Sequence, residues 1–165
     1  MRIIAIHVDY ARYRVKKKTP MAEPIDKHED SIEDGVLLMC CVEKADEDDP
    51  GSVIENASAG VLKRLNMLKV KKVMIYPYAH LSNDLSSPEA AVGVLKGLEK
   101  SLRDLEIDVK RAAFGWYKEL ESRSKGHPLS DLSMSICACQ EGNCPLSPCQ
   151  SPIENKASFF PPQES

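Results

Sequence analysis

A chain of 165 residues, 42% hydrophobic and 28% charged, suits one well-buried core, and usually only one. No apolar run reaches the length of a membrane span, and a formal net charge of −3 argues against coating nucleic acid by bulk electrostatics. The opening residues carry no small-residue cleavage site, so the cytoplasm is the expected compartment and no membrane partner is expected.

Residues 2–8 form a continuous apolar run of strand length, which predicts a strand buried on both faces. Tyr10 to Val15 alternate in character and predict a second, half-exposed strand, so close behind the first that a hairpin is expected. Pro20, Pro24 and many charges predict a long loop to about Asp34. Residues 36–42 are again wholly apolar and predict a strand containing Cys40 and Cys41 as small buried hydrophobes. The acids Asp46 to Asp49 and then Pro50 introduce a helix, because carboxylates suit the partial positive charge of a helix start. Its apolar stripe is Val53, Ala57, Val61, Leu65 and Leu68.

Val73 to Tyr76 predict a third buried strand, stopped by Pro77. Ser87 as N-cap and Pro88 at the first helical position start a second helix with the stripe Ala91, Leu95, Leu98 and Leu102. Residues 107–112 and 115–122 predict two more strands, the second with Trp116, Lys118 and Leu120 on one face and Tyr117 and Glu119 on the other. Alternation of strands with two main helices predicts an α/β fold with a mixed β-sheet over residues 1–140, and residues 141–165 read as a Pro/Ser/Cys-containing tail expected to be disordered.

Amine, phenol, imidazole and carboxylate crowd into the stretch from Phe114 to Asp131, and a second strand end, Tyr76 to Ser82, also carries a histidine. These strand ends are expected to meet around one pocket. On the inward face, the Lys118 ammonium would be partly desolvated and would need a polar or anionic partner; a lysine at a strand edge with its head in water is the commoner case. His127 sits in a turn and His80 closes a strand, although single histidines are more often structural than catalytic. Two basic runs, Arg12 to Lys18 and Lys63 to Lys72, are candidate patches, and such runs are common on ordinary solvated faces. Cys137, Cys139, Cys144 and Cys149 lack the paired spacing of a metal site and read as free thiols, so no metal is expected. No phosphate-cradling glycine loop is present, and no cofactor is expected.

The ordered motifs from Ile6 to Tyr10, Val42 to Asp46, Tyr76 to Ser82, Phe114 to Lys118 and Lys125 to Leu129 resemble the archaeal-type N-terminal editing domain of threonyl-tRNA synthetase over most of residues 1–135. The resemblance implies a fold shared with D-aminoacyl-tRNA deacylases. It also implies hydrolysis of L-seryl-tRNA(Thr), with the terminal 2′-hydroxyl of the tRNA helping to activate water. Editing of this kind is needed because one missing methyl supports only about 1–3 kcal/mol of discrimination. By the same resemblance Lys118, Tyr117, His80 and Asp131 are the catalytic candidates, Val42, Ala79, Phe114 and Trp116 the walls, and His127 a further substrate-binding candidate. Asp131 stands where the family usually has glutamate, and Trp116 where tyrosine is expected. Implied partners are the serine-bearing 3′ end of tRNA(Thr), the synthetase catalytic region in cis or in trans, and a second copy in a homodimer. A D-aminoacyl-tRNA deacylase and a non-catalytic tRNA-binding or synthetase-docking module are the alternatives.

Overall fold

One 17-residue strand, β1 (Arg2–Lys18), runs through the whole domain in the computed structural model, which describes residues 1–139. The other strands are β2 (Glu29–Cys41), β3 (Lys72–Pro77), β4 (Asp108–Arg111), β5 (Trp116–Ser124) and β6 (Asp131–Ser135), and the helices are α1 (Pro50–Leu68) and α2 (Pro88–Asp104). The sheet order is β4-β3-β2-β1-β5, with β6 also on β1. β1 is antiparallel to β2, β5 and β6, whereas β2-β3 and β3-β4 are parallel, so the sheet is mixed as expected.

The hairpin expected between residues 2–8 and 10–15 is not there. Those segments are one strand, and the change in apolar pattern marks a register shift between Val8 and Tyr10 in the pairing with β5. From Arg2 to Ile6 β1 pairs with β6, and from Val8 onward with β5. The real hairpin joins β1 to β2, which starts at Glu29 and not after Asp34. Its first residues look like loop because they are charged, yet Glu29 lies opposite Arg14 and Ile32 points into the core. β6 has no counterpart among the predicted strands. It is five residues long and mostly polar, and only Met134 among them is fully buried.

Both helices begin as predicted. The Asp49 side chain accepts from the Ser52 N–H at 3.1 Å, and Ser87 Oγ from the Ala90 N–H at 3.3 Å. α1 and α2 cover one face of the sheet, where Val53, Ala57, Val61 and Leu65 meet Leu95, Leu98 and Leu102 over Ala5, Leu38 and Ile75. Each large aliphatic side chain removed from water there contributes about 1.5–3 kcal/mol. A smaller cluster, including Tyr13, Leu37, Met74 and Tyr76, occupies the other face. No helix among the described residues is long and apolar enough to cross a membrane.

Candidate active site

A cavity of about 370 Å³ opens at the carboxyl ends of the parallel strands β2 and β3, the usual place for ligands in open α/β sheets. Cys41 and Val42 leave β2 on one side, and residues 76–80 leave β3 and enter a single 3₁₀ turn, Ala79–Leu81. Phe114 to Lys118 form the opposite wall, and Ala91 and Leu95 of α2 close the base. Seven of the nine predicted site residues line this cavity: Val42, Ala79, His80, Phe114, Trp116, Tyr117 and Lys118.

Lys118 is turned inward, opposite Val15 across the β1-β5 ladder. Its ammonium donates to the carbonyls of Ala113 at 2.8 Å and Trp116 at 2.9 Å, and lies 5.2 Å from the centre of the Tyr76 ring. Burial lowers its pKa to about 8, with the Glu23 carboxylate pulling weakly the other way. The two carbonyls take two of the three donors of the ammonium, which leaves the third for a ligand. His80 packs edge-on against Tyr78 with ring centres 5.1 Å apart, and both His80 and Tyr117 are exposed at the mouth. The Cys41 thiol lies 3.7 Å from the Ala79 carbonyl, and burial and the neighbouring Glu43 push its pKa up.

The wall is held by residues that sequence reasoning missed. Glu23, in the β1-β2 turn, pairs with Arg111 at 2.7 and 2.9 Å and accepts from the Phe114 N–H at 3.2 Å. Its own carbonyl accepts from the Trp116 indole at 2.9 Å. Arg111 also donates to Glu99 of α2 at 2.7 Å. Thr19 Oγ1 donates to the Gly115 carbonyl at 2.6 Å. Gly115 needs its lack of a side chain: φ is +75°, and a Cβ would lie 2.5 Å from the Met21 carbonyl oxygen. The glycine was visible as a turn signal, whereas Glu23 was one carboxylate among many in a charged loop.

Asp131 and His127 are not in this cavity. Asp131 begins β6 opposite Ile6 and is exposed, because β6 pairs with the far half of β1 from β5. The His127 ring lies against His7 instead, with Nε2 2.7 Å from His7 Nδ1. Because His127 Nδ1 accepts from the Leu129 N–H at 3.1 Å, His127 carries its proton on Nε2 and donates it to His7. His7 then holds its own proton on Nε2, a buried atom with no hydrogen-bond partner, 3.8 Å from Asp34. Burial, then His127 and Lys125, lower the pKa of His7.

The second basic run does not act as one patch, since Arg64 is buried and donates to the Leu129 carbonyl. Cys137 is disulfide-bonded and so is not the free thiol expected. Cys144, Cys149 and the predicted tail fall outside the described residues, among which no group of three or more His, Cys, Asp or Glu is placed to hold a metal.

A family model described as the archaea-specific editing domain of threonyl-tRNA synthetase matches residues 1–136. The chain belongs to that family. Membership makes it an editing domain, an aminoacyl-tRNA hydrolase by class. Curated threonine–tRNA ligases agree. That of Methanobrevibacter smithii is 46% identical over 140 residues, covering 84% of this chain and 23% of the relative. That of Methanosarcina acetivorans is 47% identical over 138 residues, covering 82% and 22%. The editing domain thus spans less than a quarter of the length of these ligases. Among solved structures, the c-Myc DNA Unwinding Element Binding Protein superposes with a TM-score of 0.60 at 14% identity, over 82% of this chain and 98% of that one. That likeness concerns the fold alone.

Proposed function

We propose that the domain hydrolyses L-seryl-tRNA(Thr), the product of charging tRNA(Thr) with serine. The Lys118 amine inside the cavity carries this reading: it is desolvated, anchored by two carbonyls and left with one free donor. Water attacks the ester carbonyl, the bond to the terminal ribose oxygen breaks, and the proton of the water passes to that oxygen, leaving serine and a free tRNA end. The adjacent 2′-hydroxyl of the terminal adenosine assists the water, so the protein supplies orientation and charge stabilisation more than a strong base. Lys118 orders the water or holds the seryl hydroxyl; His80 and Tyr117 at the mouth orient the ester and the ribose. Val42, Ala79, Phe114 and Trp116 line the cavity and form the walls for the seryl group and the adenosine, and exclusion of the extra methyl of threonine completes the discrimination.

Asp131 has no part in this cavity within one chain. A homodimer is proposed as well, supported by the half-exposed apolar side chains of Ile4, Ile6 and Met39 on the sheet face away from the helices. Synthetase catalytic regions, in cis or in trans, are the proposed source of the mischarged tRNA. The test is deacylation of L-seryl-, L-threonyl- and D-seryl-tRNA(Thr) by the full chain. Selective loss of L-serine is expected; preference for the D-ester, or tRNA binding without turnover, would overturn the assignment.

A further inference from the structure

The second half of β1 is basic, but its charges are not all alike. Arg12 pairs with Glu121 at 2.7 Å, Arg14 with Glu29 at 2.9 Å, and Lys16 with Glu119 at 2.7 Å. Lys17 and Lys18, the next two residues, are exposed and have no carboxylate partner among the described residues. The strand is therefore neutralised along its length and left charged at its end.

That end is the cavity mouth. Lys17 lies opposite Tyr117 and Lys18 opposite Trp116 across the β1-β5 ladder, and Thr19 follows as a lining residue. Directly opposite residues in an antiparallel pair stand about 4.5–5.5 Å apart at Cβ. A register shift between Val15 and Lys17 marks the place where the ladder changes its aim. Tyr117 is 63% exposed, a large fraction for an aromatic ring beside a cavity. Lys17 shares the face of Tyr117 and Lys18 the face of Trp116, and unscreened ammonium groups flanking aromatic rings are the pattern that tracks a single nucleic-acid strand, phosphates on the cations and a base on a ring. With a formal net charge of −3 the domain has no bulk attraction for RNA, so any such attraction must be local.

We propose that Lys17 and Lys18 bind the phosphodiesters just upstream of the terminal adenosine, steering the unpaired 3′ strand into the cavity. This rests on the deacylase reading above and adds to it the path of the strand. The two lysines are positioning residues, since they touch neither the ester nor the attacking water.

The experiment compares wild type with Lys17→Ala/Lys18→Ala on two substrates, seryl-tRNA(Thr) and seryl-adenosine, which has no phosphate. For seryl-tRNA, KM should rise about tenfold with kcat within twofold. The slope of log(kcat/KM) against log[salt] should become shallower by about 1.4, or ~0.7 for each single-strand phosphate that the variant leaves unneutralised. Seryl-adenosine hydrolysis should be unchanged, and Arg14→Ala/Lys16→Ala, which removes charges already paired, should behave as wild type on both. An unchanged KM for seryl-tRNA, or equal impairment on both substrates, would overturn the proposal. If wild type turns over neither substrate, the deacylase reading fails, and titration with uncharged tRNA(Thr) decides for the lysines: weaker binding by the double variant upholds them, and equal or no binding rejects them.

Discussion

Lys118→Met separates a working amine from a structural one, because its effects on stability nearly cancel while its effect on activity should not. Methionine keeps the length of the side chain and removes the charge. Lowering of the Lys118 pKa from 10.5 to about 8 puts the cost of holding the ammonium in the cavity at roughly 3 kcal/mol, an upper bound because the amine keeps some contact with water. Against that relief stands the removal of two charge-assisted hydrogen bonds to Ala113 and Trp116, each contributing about 1.5–3 kcal/mol. Trp116 lines the open cavity, where water can replace the amine at its carbonyl, so the loss that counts is the bond to the buried Ala113. The net change is then about 1 kcal/mol or less, a shift of a few degrees in Tm. Hydrolysis of seryl-tRNA, by contrast, should fall by about 10²–10³, the usual effect of removing one donor aimed at developing charge. Single-turnover deacylation and a thermal melt on the same preparation measure both. A variant that keeps more than about a third of the wild-type rate, or one that loses activity together with ten or more degrees of Tm, refutes the reasoning.

Above pH 8 the Lys118 amine loses its proton, so the enzyme-catalysed rate, corrected for spontaneous ester hydrolysis, should decline along an alkaline limb with an apparent pKa near 8. A flat profile from pH 7 to 9.5 would show that the ammonium form is not required. Stability should move the other way: the unfolded chain binds this proton more tightly, so stability rises with pH between about 8 and 10.5, and Lys118→Met removes that rise. Gly115→Ala should cost at least ~2 kcal/mol and impair hydrolysis, since its Cβ meets backbone at 2.5 Å, whereas Gly126→Ala, at φ +66° in open space, should cost about 1 kcal/mol and leave activity alone. Equal Tm decreases in the two variants would show that the clash with Met21 is not the cause. His7 cannot take a proton on Nδ1 without losing its bond from His127, and the lowered pKa of His7 makes the folded state resist that protonation. Stability should therefore fall as pH drops below the ordinary histidine range, more steeply for wild type than for His7→Gln; parallel Tm–pH curves would contradict this.

Local signals read well where one short-range rule was enough. Asp49 and Ser87 cap helices, each followed by proline, and the two apolar stripes land on the core at every position except Leu68, which is only half buried. The alternation of Trp116, Lys118 and Leu120 put the amine on the inward face. Strand limits read less well. Neither the continuity of β1 through its register shift nor the charged start of β2 can be told from a turn or a loop until the partner strand is known.

The candidate site divides along the same line. Among the residues that the parallel pairing of β2 and β3 gathers together, His80, Tyr117 and Lys118 stood out by their own chemistry, whereas Val42, Ala79, Phe114 and Trp116 were reached only through the family resemblance. His127 and Asp131 follow the end of the Phe114 to Lys118 wall by nine and thirteen residues, yet lie elsewhere, because β6 pairs with the opposite half of β1 from β5. Glu23 belongs to the wall although 91 residues separate it from Phe114. The amino-acid order by itself determined the helices, their caps, the apolar faces and the chemistry offered at each strand end. Which of those ends share a cavity was decided only by tertiary structure, because pairing along β1 brings distant segments together and separates near ones, a relation between strands that no single segment contains.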